Sequence, residues 1–137
     1  MKIIDLWIED YNLLQDFKIE LNEQLIVLIG QNGSGKSTLL EFIAKIFYDL
    51  YEHFVLSKGE KPKHNFKLVY ELEHNNSIYK IRIVRSSTQN EYYAVSYFKD
   101  GIWKEKQSRA KIEEEFMNGY KDMLPHNVVM YYSGISK

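Results

Sequence analysis

The sequence predicts an α/β fold in which a strand–turn–helix unit precedes an antiparallel meander, and three observations carry that prediction. An unbroken apolar run, Leu25-Ile-Val-Leu-Ile29, leads into the glycine-rich stretch Gly30-Gln-Asn-Gly-Ser-Gly-Lys-Ser-Thr38, which runs straight into Leu39-Leu-Glu-Phe-Ile-Ala44. From Phe66 to Trp103 the texture changes to alternating apolar and polar residues broken by short turns. A late apolar run, Asn127-Val-Val-Met-Tyr-Tyr132, supplies one more buried strand.

The elements follow in order. Ile3 to Ile8 is nearly continuous in apolar character and reads as a first strand. Phe17-Lys-Ile-Glu-Leu21 alternates strictly, as a half-exposed second strand would. Leu25 to Ile29 suits a strand covered on both faces, since parallel strands in the middle of a sheet are apolar throughout. The helix after the glycines is expected from Lys36 to about Leu56, because Leu39, Leu40, Ile43, Ile46, Phe47 and Leu50 share one face. Ser57 to Asn65 is polar and basic, with Gly59 and Pro62, and reads as a loop.

Strands are then expected over Phe66–Leu72, Ile78–Val84 and Tyr92–Phe98, with turns at Asn75-Asn76 and Ser86–Asn90. Asp100-Gly101 before Trp103 is a tight-hairpin signal. Arg109 to Met117 is expected to be helical, with Ile112, Phe116 and Met117 on one face. Three stretches result, 1–56, 66–104 and 109–137, within one domain that includes a mixed sheet.

The glycine-rich stretch satisfies the spacing G-x-x-x-x-G-K-[ST] through Gly30, Gly35, Lys36 and Ser37. Gly33 and Gly35 lack a Cβ, so the chain can curl closely around a phosphate. Successive N–H groups from Asn32 through Ser34 to Thr38 then converge on the anion, aided by the positive end of the following helix. Lys36 adds a charge aimed at the β- and γ-phosphates, and the Ser37 hydroxyl is suited to ligate Mg²⁺. A glycine-rich turn that binds nothing is the plain alternative; the strand before the motif and the helix after it favour a phosphate-binding loop. ATP with Mg²⁺ is the expected cofactor, and the chain is classed as a P-loop NTPase.

Composition bounds the rest. The 137 residues make one domain's worth of chain, with a net charge of −1, eleven tyrosines and no cysteine. Near-neutral charge gives no overall field for nucleic acid, and the lack of cysteine excludes disulfides and thiolate metal sites. The start, Met1-Lys-Ile-Ile-Asp-Leu-Trp7, lacks a signal peptide's apolar block, and no stretch is long enough to span a membrane. A cytoplasmic protein without membrane contact is the expectation.

Other residues carry weaker signals. His53, His64, His74 and His126 have no metal-ligand spacing and read as solvated or loop residues. Glu113-Glu-Glu115 reads as a solvated helix face. Lys99, Lys104, Lys106, Arg109 and Lys111 cluster beside Trp103, a solvated charged hairpin with DNA phosphate contact as the sharper alternative. Tyr70, Tyr79, Tyr92, Tyr93 and Tyr97 alternate as sheet packing does, with base stacking as the minor reading.

Three segments resemble the N-terminal lobe of ABC-class ATPases, in particular the SMC/RecF-like group found in bacterial DNA repair and anti-phage systems. They are Ile3 to Asn12 with Phe17 to Leu21, the run Ile29 to Ile43 with its Asn-Gly-Ser-Gly-Lys-Ser-Thr-Leu-Leu-Glu wording, and His126 to Gly134. The resemblance implies a partial ABC-type ATPase domain over residues 1–137, the N-terminal part of a longer protein. It also implies a second ATPase head, in a homodimer or higher oligomer reached through the rest of that protein. A nuclease partner and DNA belong to the same implication.

The departures from the group concern hydrolysis. No apolar run ends in the Asp-Glu pair that assists Mg²⁺ and activates water, and the late strand ends in Tyr131-Tyr-Ser-Gly134 where many relatives carry glutamine. Ser133-Gly-Ile-Ser136 is at best a degenerate form of the signature that covers a partner's ATP. Asn12 and Leu13 stand where relatives often carry an arginine. The chain is therefore expected to bind ATP·Mg²⁺ weakly and, alone, not to turn it over. Two other readings remain: a stand-alone regulatory module that binds nucleotide without hydrolysis, and a nucleoside or sugar kinase, against which the antiparallel meander argues.

Overall fold

A computed structural model describes residues 2–11, 14–20 and 34–125. A first hairpin pairs β1 (Lys2–Tyr11) with β2 (Leu14–Glu20), Leu6 opposite Ile19 and Ile8 opposite Phe17. A 21-residue helix, α1 (Ser34–Phe54), follows. The chain then returns through β3 (Phe66–His74), β4 (Ser77–Arg85), β5 (Ala94–Lys99) and β6 (Ile102–Lys104). Two short helices, α2 (Arg109–Glu115) and α3 (Tyr120–Met123), complete the described chain.

The six strands form one sheet in the order β2-β1-β3-β4-β5-β6, antiparallel at every step. The expected mixed sheet is thus corrected for the described residues. Its expected parallel members, Leu25–Ile29 and Asn127–Tyr132, lie outside them. The meander is tightly turned. Asn75 and Asn76 take φ of +49° and +63°, and Asp100 and Gly101 take +54° and +80°, the left-handed pairs that suit two-residue hairpins.

Cross-strand register builds the core. One face carries the rows Leu6–Leu68–Ile83–Val95 and Ile3–Tyr70–Ile81–Tyr97, all buried. Helix α1 lies on this face, with Phe42 edge-on to Phe66 at 6.3 Å and Phe47 edge-on to Tyr70 at 5.3 Å. The tail end of the same face is covered by α2 and α3, whose Ile112, Phe116, Tyr120 and Met123 join the α1 cluster. The buried Tyr70 hydroxyl donates to the Met123 carbonyl at 2.8 Å, so a polar atom at the sheet's centre leaves no orphan. Of the tyrosines expected as sheet packing, Tyr70, Tyr79 and Tyr97 are buried in strands; Tyr92 and Tyr93 precede β5, Tyr93 buried and Tyr92 partly so.

Several boundaries differ from expectation. The third meander strand starts at Ala94, because Tyr92 and Tyr93 leave the ladder to pack on His53 at the end of α1. α1 spans Ser34–Phe54, two residues earlier at each end than expected; beyond it, Ser57 at φ +54° and Gly59 at +105° reverse the chain. α2 stops at Glu115, two residues short of the expected end. Phe116 has already turned extended, so Met117 swings out and is 78% exposed rather than sharing a face with Ile112 and Phe116.

Candidate functional site

Helix α1 opens at Ser34, which places Ser34, Gly35, Lys36, Ser37 and Thr38 in its first turn. Gly30, Asn32 and Gly33 lie outside the described residues. The first N–H groups of a helix have no intrahelical acceptor, and they face the positive end of its dipole. No acidic residue occupies this first turn, so no carboxylate there competes for those donors or repels a phosphate. Unpaired N–H groups at a helix start suit an anion.

The next turn of α1 is fixed to the sheet. Tyr11, at the end of β1, meets Phe42 edge-on at 4.7 Å and donates its hydroxyl to Glu41 at 2.7 Å. His64 donates from Nδ1 to the Asp10 carbonyl at 3.0 Å and sits 5.1 Å from the Tyr11 ring. Glu9 N–H bonds to the Asn65 carbonyl at 3.1 Å. The helix that starts at the glycine-rich loop is thus registered against the end of β1 and the start of β3.

The far end of α1 is held as firmly. Arg109 Nη2 donates to the Phe54 carbonyl at 3.0 Å, with its guanidinium 4.8 Å from the Tyr120 ring. A cation at a helix C-terminus meets both unpaired carbonyls and the negative end of the dipole. Phe54 and Tyr120 stack at 4.0 Å. His53 lies beside Tyr92 and Tyr93, and burial first, then the Arg109 charge, lowers its pKa below the usual 6.5.

These contacts correct the histidine reading for His53, in α1, and His74, in β3, while His64 lies in the loop before β3 as expected. His53 and His64 are built into aromatic clusters, and His74 packs on Phe116 at 5.1 Å; His126 lies outside the described residues. Of the basic cluster, Lys99 pairs with Glu115 at 3.5 Å, Arg109 with Glu113 at 3.7 Å and Lys111 with Glu114 at 3.7 Å. The run Glu113–Glu115 is therefore an ion-paired face, and only Lys104 and Lys106 of the cluster stay exposed without an ion pair among the described residues. Arg82 engages Glu105 and covers Trp103 at 4.3 Å, which ties β6 and the residue after it to β4.

Sequence reasoning passed over one feature. Residues 59–64 strap across a cleft of about 530 Å³ along the flank of α1, floored by Phe42, Phe66 and Tyr93. Only the strap's basic composition was a signal, because the floor comes from three separate parts of the chain.

The family model of the AAA ATPase domain matches residues 1–133. Two curated relatives, both described as an aliphatic sulfonates import ATP-binding protein SsuB, come from Mycobacterium avium (strain 104) and Mycolicibacterium paratuberculosis (strain ATCC BAA-968 / K-10). Each is 36% identical over 50 residues, which is 36% of this chain and 20% of the relative. The match thus spans about a fifth of those proteins. No solved structure matches the chain significantly.

Proposed function

The chain belongs to the AAA ATPase domain family, and from that premise we propose that it is the ATP-binding part of an ATPase whose glycine-rich loop holds ATP·Mg²⁺. What carries the reading is the motif Gly30 to Ser37 running into the first turn of α1, free of acidic residues, within a family match over nearly the whole chain.

In this reading the backbone N–H groups from Asn32 to Thr38 cradle the phosphates, and Gly30, Gly33 and Gly35 let the chain approach them. Lys36 neutralises charge on the β- and γ-phosphates, and Ser37 presents its hydroxyl to the metal. Bound Mg²⁺ would supply charge neutralisation for phosphoryl transfer. A residue that orients water is still required, and no Asp-Glu pair closes an apolar run in this sequence. The 137 residues alone therefore bind ATP without appreciable turnover. Equilibrium binding of ATP·Mg²⁺ to the wild type and to Lys36→Ala tests the assignment, with at least tenfold weaker binding expected for the variant. Undiminished binding contradicts it.

Completion of the site by a second ATPase head, in a homodimer or higher oligomer, and its coupling to a DNA-processing or defence effector rest on the motif resemblance to SMC/RecF-like ATPases. The head-to-head part has a direct check. ATP should raise the mass of the full-length protein in solution, and Lys36→Ala should abolish that increase.

A further inference from the structure

We propose that Tyr11 is a positioning residue for the nucleotide: through Glu41 it fixes the start of α1 in the orientation that phosphate binding requires. The inference rests on the ATP-binding reading of the loop and adds to it a residue outside the motif, on a different strand. Tyr11 ends β1 and is 7% exposed. Its ring lies edge-on to Phe42 at 4.7 Å, and its hydroxyl donates to Glu41 Oε1 at 2.7 Å. Glu41 is one helical turn beyond Ser37, so a tilt that moves one moves the other.

The hydroxyl is not needed for packing. A phenylalanine ring would meet Phe42, and His64 at 5.1 Å, in the same way. Glu41 is exposed, so water would serve its carboxylate if the hydroxyl were gone, and the bond adds little to the stability of the fold. Among the described residues Glu41 makes no ion pair; Lys45, one turn further along, pairs with Asp49 at 3.1 Å. The short, charge-assisted bond to Tyr11 therefore sets where the Glu41 carboxylate sits.

Tyr11 can serve as an anchor because it is itself held. His64 bonds to the carbonyl of Asp10 at 3.0 Å, and Glu9 N–H bonds to the Asn65 carbonyl at 3.1 Å, which fixes the end of β1 to the start of β3. The other end of α1 is fixed at Phe54 by Arg109, about 20 Å from Glu41 at 1.5 Å per residue. Over that length a tilt of about 3° displaces the helix start by about 1 Å. Donors that must meet phosphate oxygens tolerate about half of that. Apolar packing along the sheet is non-directional, whereas a hydrogen bond near the helix start resists the tilt.

Calorimetric titration of ATP·Mg²⁺ into the wild type, Tyr11→Phe, Glu41→Ala and the double variant tests the assignment, with Lys36→Ala as the control for the loop. Tyr11→Phe should bind about fivefold more weakly than the wild type, its fold checked by melting temperature. In the Glu41→Ala background the same change should have no effect, because the acceptor is gone. The effect of the lost charge on phosphate binding is common to both arms of the cycle and cancels. Glu41→Gln keeps an acceptor for the hydroxyl, so in that background Tyr11→Phe should weaken binding again. Equal affinity of the wild type and Tyr11→Phe overturns the inference, and so does an equal weakening with and without the Glu41 side chain. Wild-type binding indifferent to Lys36→Ala is a different result: it overturns the loop reading and this inference with it.

Discussion

Arg109 joins two elements through one side chain: it caps α1 at the Phe54 carbonyl, lies against Tyr120 and pairs with Glu113. Arg109→Ala should cost about 1–2 kcal/mol, mostly the hydrogen bond to a helix end, read as a lower melting temperature. Arg109→Lys should recover only part, since an ammonium cannot serve the carbonyl and the ring with one planar group. His53 makes a pH-dependent prediction. Its folded pKa is lowered by burial and by Arg109, so the unfolded chain binds the proton more readily. The stability this contributes is complete above the unfolded value near 6.5 and is lost as pH falls through the lowered folded value. His53→Gln should flatten that part of the stability–pH curve in denaturant titrations between pH 7 and 5; an unchanged slope refutes it. None of this was legible in the sequence. A histidine's surroundings come from distant residues, and spacing tests only metal ligation.

At the scale of elements, local chemistry was the readable part. Asn75-Asn76 and Asp100-Gly101 were readable as turns because few residues tolerate positive φ, and both dipeptides adopt it. Gly101→Val should therefore cost about 1–2 kcal/mol, the strain of a branched residue at φ +80°. Open space around its Cβ position means that a clash contributes nothing. Meander alternation placed Tyr70, Tyr79 and Tyr97 in the core, and periodicity placed Leu39, Ile43, Ile46, Phe47 and Leu50 on one buried face of α1, without finding Phe42, which is buried too. Where an element ended, the pattern misled. Met117 keeps helical spacing from Glu113, yet the helix has stopped at Glu115 and the side chain faces water. Phe116 is the residue that binds α2 to the sheet, 4.9 Å from Tyr79 and fully buried. Phe116→Ala should destabilise by about 3–5 kcal/mol, while Met117→Ala should be nearly silent.

Over the whole molecule, α1 connects the glycine-rich loop at its first turn to Arg109 and Tyr120 at its last, and it is packed along the sheet between them. The loop could be proposed from the sequence because the residues from Gly30 to Thr38 stand in a fixed order, with their flanks as context; Gly30, Asn32 and Gly33 lie outside the described residues. The strap cleft could not, because Phe42, Phe66 and Tyr93 meet only after the sheet has formed. Among the described residues no helix is long and apolar enough to cross a membrane. The central claim is that the loop before α1 binds ATP·Mg²⁺. Its most direct test is calorimetric titration of ATP·Mg²⁺ into the wild type and Lys36→Ala, with melting temperatures matched. Saturable binding that weakens at least tenfold in the variant is the expected result; equal affinity in both proteins would contradict it.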